Sequence, residues 1–368
     1  MKKAFFLLWS WLLALSICLS PALAAEKELA KAPKWVSDGT WLNGKPPLKK
    51  LYAHQLTLVY FWDYTSINCL REMTVLKKWY KEYHRYGFEM VWIHTPEFEF
   101  AKNPENVKKA VKSLQIPFPV FLDNVGAVWD QYKIKSWPTK VLIDDHRRIA
   151  YTQIGEDKFS LTEREIRRML KDLNPGAVLP EPVNEFDKPA CSLDRCGLMS
   201  NETYTGYERA TWWGAKIANR QWVEQDKVIT FRDYGERPEK GFFVEGVWAN
   251  REDSMDHARE TKGMDDYLGL IYQGHEVYSV ISRLKDVPIG RIYVMRDLEP
   301  VPAEFRGKDL REDEEGRTYF LAGDSKLYYV ISKEDDEPHE LRLYPQSSGL
   351  SINSFSFSNH CLADFEHL

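Results

Sequence analysis

The stretch Thr57-Leu58-Val59-Tyr60-Phe61-Trp62-Asp63-Tyr64-Thr65-Ser66-Ile67-Asn68-Cys69-Leu70-Arg71-Glu72-Met73 decides how the chain folds. Its first six residues are an unbroken apolar run, the pattern of a strand buried on both faces, and a parallel sheet is the expected setting. The run crosses a short polar turn and enters a helical pattern over residues 70–86. Cys69 therefore lies where a central strand hands over to a helix.

Outward from this stretch, strands are expected at 88–93, 120–122 and 140–143, with helices at 103–114 and 126–132 between them. A hairpin partner at 149–154 and a helix at 161–173 complete an α/β sandwich. The cluster Asn174-Pro175-Gly176 through Pro180, Pro182 and Pro189 cannot continue a helix and reads as a linker over 174–189. It separates a first domain, 25–173, from a second, 190–368. Strand candidates in the second domain fall at 228–231, 241–248, 267–272, 276–281, 290–295, 318–322, 326–331, 340–344 and 354–358. Short strands between polar turns, with no helical pattern, predict an antiparallel β-sandwich. The acidic runs at 311–315 and 333–337 read as solvated loops.

At 368 residues the chain has room for two domains with sizeable cores, and its 43% hydrophobic and 29% charged composition excludes a multi-span membrane protein. A formal charge of −5 supplies no basic field for nucleic acid or anionic lipid. Lys2 and Lys3 precede the apolar run from Ala4 to Leu19, and Ala22-Leu23-Ala24 is a small-x-small cleavage site. Residues 1–24 read as a secretory signal peptide, so the mature chain is expected in the periplasm or outside the cell. The apolar run is short for a membrane anchor, and Ile17 before Cys18 argues against a lipidation site. Cleavage would remove Cys18 and leave Cys69, Cys191, Cys196 and Cys361 in an oxidising compartment.

On these residues the first domain resembles the TlpA-like branch of thioredoxins, most closely the extracytoplasmic thioredoxin domain of DipZ-type proteins. The resemblance runs from Trp41-Leu42-Asn43 through the Ile67-Asn68-Cys69 turn, His94-Thr95-Pro96-Glu97-Phe98, Leu122-Asp123-Asn124, Trp137-Pro138 and Leu142-Ile143-Asp144 to Gly155-Glu156 and Thr162-Glu163. The segment Glu202 to Arg209 resembles the start of the DipZ-type C-terminal module, a jelly-roll sandwich shaped like carbohydrate-binding modules. The implied fold is a thioredoxin domain followed by an all-β sandwich.

A dithiol thioredoxin needs Cys-x-x-Cys because the first thiolate attacks a disulfide and the second resolves the mixed disulfide. Here the first position is Ser66, whose hydroxyl does not exchange with disulfides, and Cys69 stands alone. The resemblance also places a buried acid six residues before the first thiol position, where this chain has Tyr60. It implies a cis peptide at Pro138, with Trp62, Trp137 and Pro138 facing the substrate. Pro138 taken alone is a strand-entry residue. His94 and Glu97 stand at the same sheet edge as candidate acid or base, or as a hydrogen-bonded loop histidine and a structural cap.

Cys69 itself has two readings, a small buried apolar residue or a monothiol. Cys191, Cys196 and Cys361 are disulfide candidates in any of three pairings with Cys69, and Cys191 and Cys196 can also act as a mobile dithiol that assists Cys69. No metal or cofactor is expected. Trp212, Trp213, Trp222 and Trp248 are candidates for stacking on a glycan, or are core. The expected activity is thiol–disulfide exchange with cysteine-containing envelope proteins, with electrons from a CcdA-like membrane reductase. The alternative is a redox-inactive thioredoxin scaffold that binds a peptide or glycan.

Overall fold

A computed structural model describes residues 29–34, 39–46, 51–156, 158–183, 199–210, 214–219, 223–284, 287–332, 335 and 337–359. In the first domain β1 (Trp41–Leu42), β2 (Leu56–Trp62), β3 (Phe88–His94), β4 (Val120–Leu122), β5 (Thr139–Ile143) and β6 (Ile149–Ile154) form one sheet in the order β1-β4-β3-β2-β5-β6. The sheet is mixed rather than parallel. β2 runs parallel to β3 and β3 to β4, but β5 is antiparallel to β2, and β6 and β1 are antiparallel to their neighbours. The difference arises at the chain reversal before Pro138, which turns the last two strands into the expected hairpin.

Every residue of β2 is buried, because both faces are covered. Leu58, Tyr60 and Trp62 face a core shared with α1 (Ile67–Tyr83) and α4 (Phe159–Leu173), while Val59 and Phe61 face a second core against α3 (Ala127–Gln131). α2 (Pro104–Ser113) is started by the Asn103 side chain, which accepts from Glu105 N at 3.0 Å. The helix expected over 70–86 starts three residues earlier and ends as α1 at Tyr83, followed by a 3-10 turn at His84–Tyr86.

Among the described residues the second domain is antiparallel except for one short parallel pairing between Lys216–Ile217 and Gly241–Phe242. Nine strands stand within two residues of the expected bounds at one or both ends, four of them, Val228–Phe231, Tyr267–Tyr272, Thr318–Ala322 and Lys326–Ile331, at both ends as read. The described strands of this domain form one continuous 14-stranded sheet, and the long strand Gly241–Asn250 joins its two parts. Phe243–Glu245 pair with Tyr267–Gly269, and Trp248–Asn250 pair with Met255–His257. Gly246 makes the crossing, with φ at +100° and the Asp266 carboxyl where a Cβ would stand, so only glycine fits there. Among the described residues no helix is long and apolar enough to cross a membrane.

Candidate functional site

β2 ends at Trp62, and the next four residues turn the chain into α1. Asp63, fully buried, organises that turn. Its Oδ1 accepts from the Thr65 backbone N–H and from the Thr65 hydroxyl, each at 2.7 Å, and its Oδ2 accepts from Glu97 N at 2.6 Å. Ser66 is the N-cap residue of α1, half-buried, and its side chain makes no capping bond. Its carbonyl accepts from the N–H groups of Cys69 and Leu70, both at 3.1 Å.

Cys69 is a free thiol with no exposed surface. Burial pushes its thiol well above the ordinary range; hydrogen bonds from the Asp63 backbone and the Ser66 side chain pull the other way, and the Glu72 and Asp63 carboxylates add to the rise. The neutral thiol is therefore the resting form. Tyr60, in the place of the expected acid, donates its hydroxyl to the Cys69 carbonyl at 3.2 Å.

Beneath the turn lies a pair that the sequence reading missed. Lys140 on β5 and Glu72 on α1 touch through Nζ and Oε1, and both side chains are completely buried. Burial pushes the Glu72 carboxyl up to about 7, against the pull of the Lys140 ammonium. Two sequence signals stand behind the pair: a lysine inside the apolar run of β5, and a glutamate three residues after Cys69 on one face of α1. Lys140 also stands opposite Tyr60 in the β2–β5 register.

Trp137-Pro138 is a cis peptide, as the resemblance implies, and the Pro138 carbonyl accepts from Gly155 N at 2.8 Å. Trp137 is half-buried with its ring 4.6 Å from that of Trp129. Trp62 departs from its expected role. Its side chain is fully buried, 5.3 Å from the Trp92 ring and 5.5 Å from His94, so it is a wall of the core and not a substrate contact.

His94 is not a loop residue. It closes β3, is fully buried, and lies parallel to the Tyr64 ring at 5.5 Å. Neither ring nitrogen has a hydrogen-bond partner among the described residues, and Asp63 Oδ2 is 3.9 Å away. Burial lowers its pKa although Asp63 opposes the shift, so the ring is neutral.

Glu97 faces the second domain. Its Oε1 lies 2.6 Å from the Tyr204 hydroxyl and 3.3 Å from Arg209 Nη1. Burial, then the Glu202 and Asp63 carboxylates, push it up to about 8. Around it the second domain covers this side of the turn. The Tyr64 hydroxyl donates to the Ser325 carbonyl at 3.3 Å, Glu99 N donates to Asp253 at 2.9 Å, and Lys109 pairs with Asp324 at 3.0 Å. Phe98 packs with Tyr204 and Val280 in a small core of its own.

Cys191, Cys196 and Cys361 lie outside the described residues, as do residues 1–24 and Trp212, Trp213 and Trp222. Trp248 is fully buried and its indole N–H donates to the Glu245 carbonyl at 2.8 Å, so it is core and does not face a glycan. Asp144, Asp145 and His146 bring three ligand atoms together in the β5–β6 turn, away from Cys69, but Asp144 there already accepts from Arg148 Nε at 2.7 Å.

Comparison with known proteins agrees with this arrangement. The Redoxin family matches residues 32–170, and the family described as thioredoxin-like C-terminal domain matches residues 200–358. Protein DipZ of Mycobacterium tuberculosis is 28% identical over 348 residues, which is 93% of this chain and 45% of that protein. The chain thus spans slightly less than half the length of this relative. Thiol-disulfide oxidoreductase YkuV of Bacillus subtilis is 23% identical over 140 residues, 38% of this chain and 94% of that one. Among solved structures, a thiol-disulfide isomerase from Corynebacterium glutamicum is 21% identical, covering 38% of this chain and 96% of its own, with a TM-score of 0.35. Residues 32–170 thus match the Redoxin family and residues 200–358 the thioredoxin-like C-terminal domain family, and the similarity to Protein DipZ spans 93% of the chain.

Proposed function

We propose that this protein works in thiol–disulfide exchange on cysteine-containing proteins outside the cytoplasm, with the Ser66–Cys69 turn as the point of contact. The observation that carries the reading is the position of Cys69: first turn of α1, at the end of the central strand, in a domain whose neighbouring strand β5 is entered through a cis proline. Its relatives include a protein named as a thiol-disulfide oxidoreductase that matches almost only this domain. In the exchange step the Cys69 thiolate attacks one sulfur of a partner disulfide. A Cys69–partner disulfide forms, the partner S–S bond breaks, and the second partner sulfur leaves as thiolate. Because Cys69 is buried and neutral, this step requires the first turn of α1 to open and a base to take the thiol proton. Cys191 and Cys196 supply the second thiol that Ser66 lacks, and a CcdA-like membrane reductase supplies electrons. The exported location follows from the signal-peptide pattern at residues 1–24.

A second reading is favoured by the same burial. With an oxygen at position 66 and no exposed surface on Cys69, the domain holds a peptide along the Pro138 edge without redox chemistry. Reduction of a protein disulfide by the mature chain with a dithiol donor tests the two readings. Activity that is lost in Cys69→Ala supports exchange, and the Cys191→Ala/Cys196→Ala variant reports whether that pair takes part. An inactive wild type that becomes active as Ser66→Cys establishes the binding scaffold instead.

A further inference from the structure

The seam between the domains contains a proton-counting problem. The Tyr204 hydroxyl oxygen lies 2.6 Å from Glu97 Oε1 and 3.0 Å from Glu202 Oε2, both hydrogen-bond distances. A phenol has a single proton to donate, and a carboxylate only accepts. The hydroxyl can therefore serve one carboxylate, and the second short contact requires a carboxylic acid that donates to the phenol oxygen. The surroundings agree. Among the described residues Arg209 is the cation paired with Glu97, while the carboxylates of Asp63 and Glu202 both act on it; Glu99 and Asp253 stand at the rim. The remaining oxygen of Glu202 accepts from the Ser356 hydroxyl at 2.8 Å, so it is already satisfied within the second domain.

The geometry points to a proton-held latch: one proton shared among Glu97, Tyr204 and Glu202 fastens the second domain over the active-site turn, and its loss as pH rises lets that domain swing away. The turn is tied to the latch directly, because Asp63 holds the Glu97 backbone N–H while it also holds Thr65. When the proton leaves, two carboxylates face a single phenol proton across a buried seam, and repulsion replaces one hydrogen bond. Among the described residues, the Arg209–Glu97 ion pair, the packing of Phe98, the Tyr64–Ser325 bond, the Glu99–Asp253 bond and the exposed Lys109–Asp324 pair remain at the seam.

The sign follows from linkage. Glu97 is held up at about 8 in the closed form against an ordinary 4.5, and this preference for the protonated acid favours the closed form. The contribution is complete below about 4.5 and is lost as pH rises through about 8, with up to tenfold in the closing equilibrium for each pH unit between them. Thiol chemistry is not needed for any step, so the latch and the exchange reading stand or fall separately.

Small-angle scattering of the full mature chain between about pH 6 and about pH 10 reads the opening directly. The radius of gyration of the wild type is expected to rise as pH climbs toward about 8 and to level off above it, and that of Glu97→Gln to stay constant, since the amide is always neutral and can donate. Difference infrared spectroscopy at the low-pH end reads the proton itself, as a carboxylic acid carbonyl band that Glu97→Gln or Glu202→Gln weakens. Glu202→Gln carries both measurements should Glu97→Gln fail to fold. A wild-type radius that does not change over the range overturns the latch, as does an equal rise in the glutamine variants, or an acid band whose intensity neither substitution reduces below wild type, the Glu72 acid contributing equally to all three proteins.

Discussion

The Tyr60 hydroxyl donates to the Cys69 carbonyl at 3.2 Å, joining the central strand to the first turn of α1 across a fully buried gap. A tyrosine here supplies a donor where the thioredoxin resemblance places an acid, so this position fastens the helix start and moves no proton of its own. Tyr60→Phe removes the bond while keeping the ring. The expected cost is about 0.5–1.5 kcal/mol, seen as a lower urea midpoint with an unchanged slope.

Glu72 and Lys140 make the opposite prediction for single and double substitution. Glu72→Gln leaves a buried ammonium without its carboxylate and is expected to cost about 3–5 kcal/mol. The double variant Glu72→Met/Lys140→Met replaces both charges with apolar groups of similar length and is expected to lie close to wild type. Urea titration of the two singles and the double tests this. Additive losses in the double variant would refute the account of the pair as mutually dependent charges.

Cys69 is expected to resist alkylation in the folded protein. Its thiol is without exposed surface and is held neutral by burial, so labelling near pH 8 should run at least about a hundredfold slower than in denaturant. Mass spectrometry of the Cys69 peptide with and without urea reads the ratio. Ser66→Cys is expected to close a disulfide with Cys69 on oxidation, visible as the loss of two hydrogens in the same peptide.

The seam separates an apolar contribution from an ionic one. Phe98 is 2% exposed, and Phe98→Ala is expected to cost about 3–5 kcal/mol and to loosen the second domain from the turn. Lys109 and Asp324, whose side chains are 63% and 59% exposed, form a solvated pair, and Lys109→Ala is expected to change stability by at most about 1 kcal/mol. Thermal unfolding of both variants, with scattering as the measure of docking, distinguishes these outcomes.

Strand positions were legible in the sequence because each depends on a local pattern. The run Thr57 to Trp62 is nearly all apolar and is buried on both faces, and the short segment Tyr267 to Tyr272, set between polar turns, is a strand over those same residues. The cis bond at Pro138 was legible only through the family resemblance, since most X-Pro bonds are trans. The mixed direction of the sheet was not, because strand length and composition are the same for either direction. Trp62 shows the limit clearly: its place before the turn matches a substrate contact, but the direction of its side chain is set by the pleat of β2, which turns it inward against Trp92. Glu72 with Lys140 and Glu97 with Tyr204 stand 68 and 107 residues apart, and only folding brings each pair together.

Ser66 has a consequence for how this domain stands among its relatives through time. Its hydroxyl makes no capping bond and its side-chain partner is the Cys69 thiol, so a sulfur-bearing residue at this position would meet Cys69. Cys69, the cis bond at Pro138 and the buried pair of Glu72 and Lys140 all persist around it. A single atom, oxygen in place of sulfur, separates the turn from a dithiol, and most serine codons reach a cysteine codon by one base change. A single Ser66→Cys substitution would therefore supply the second thiol without rebuilding the fold.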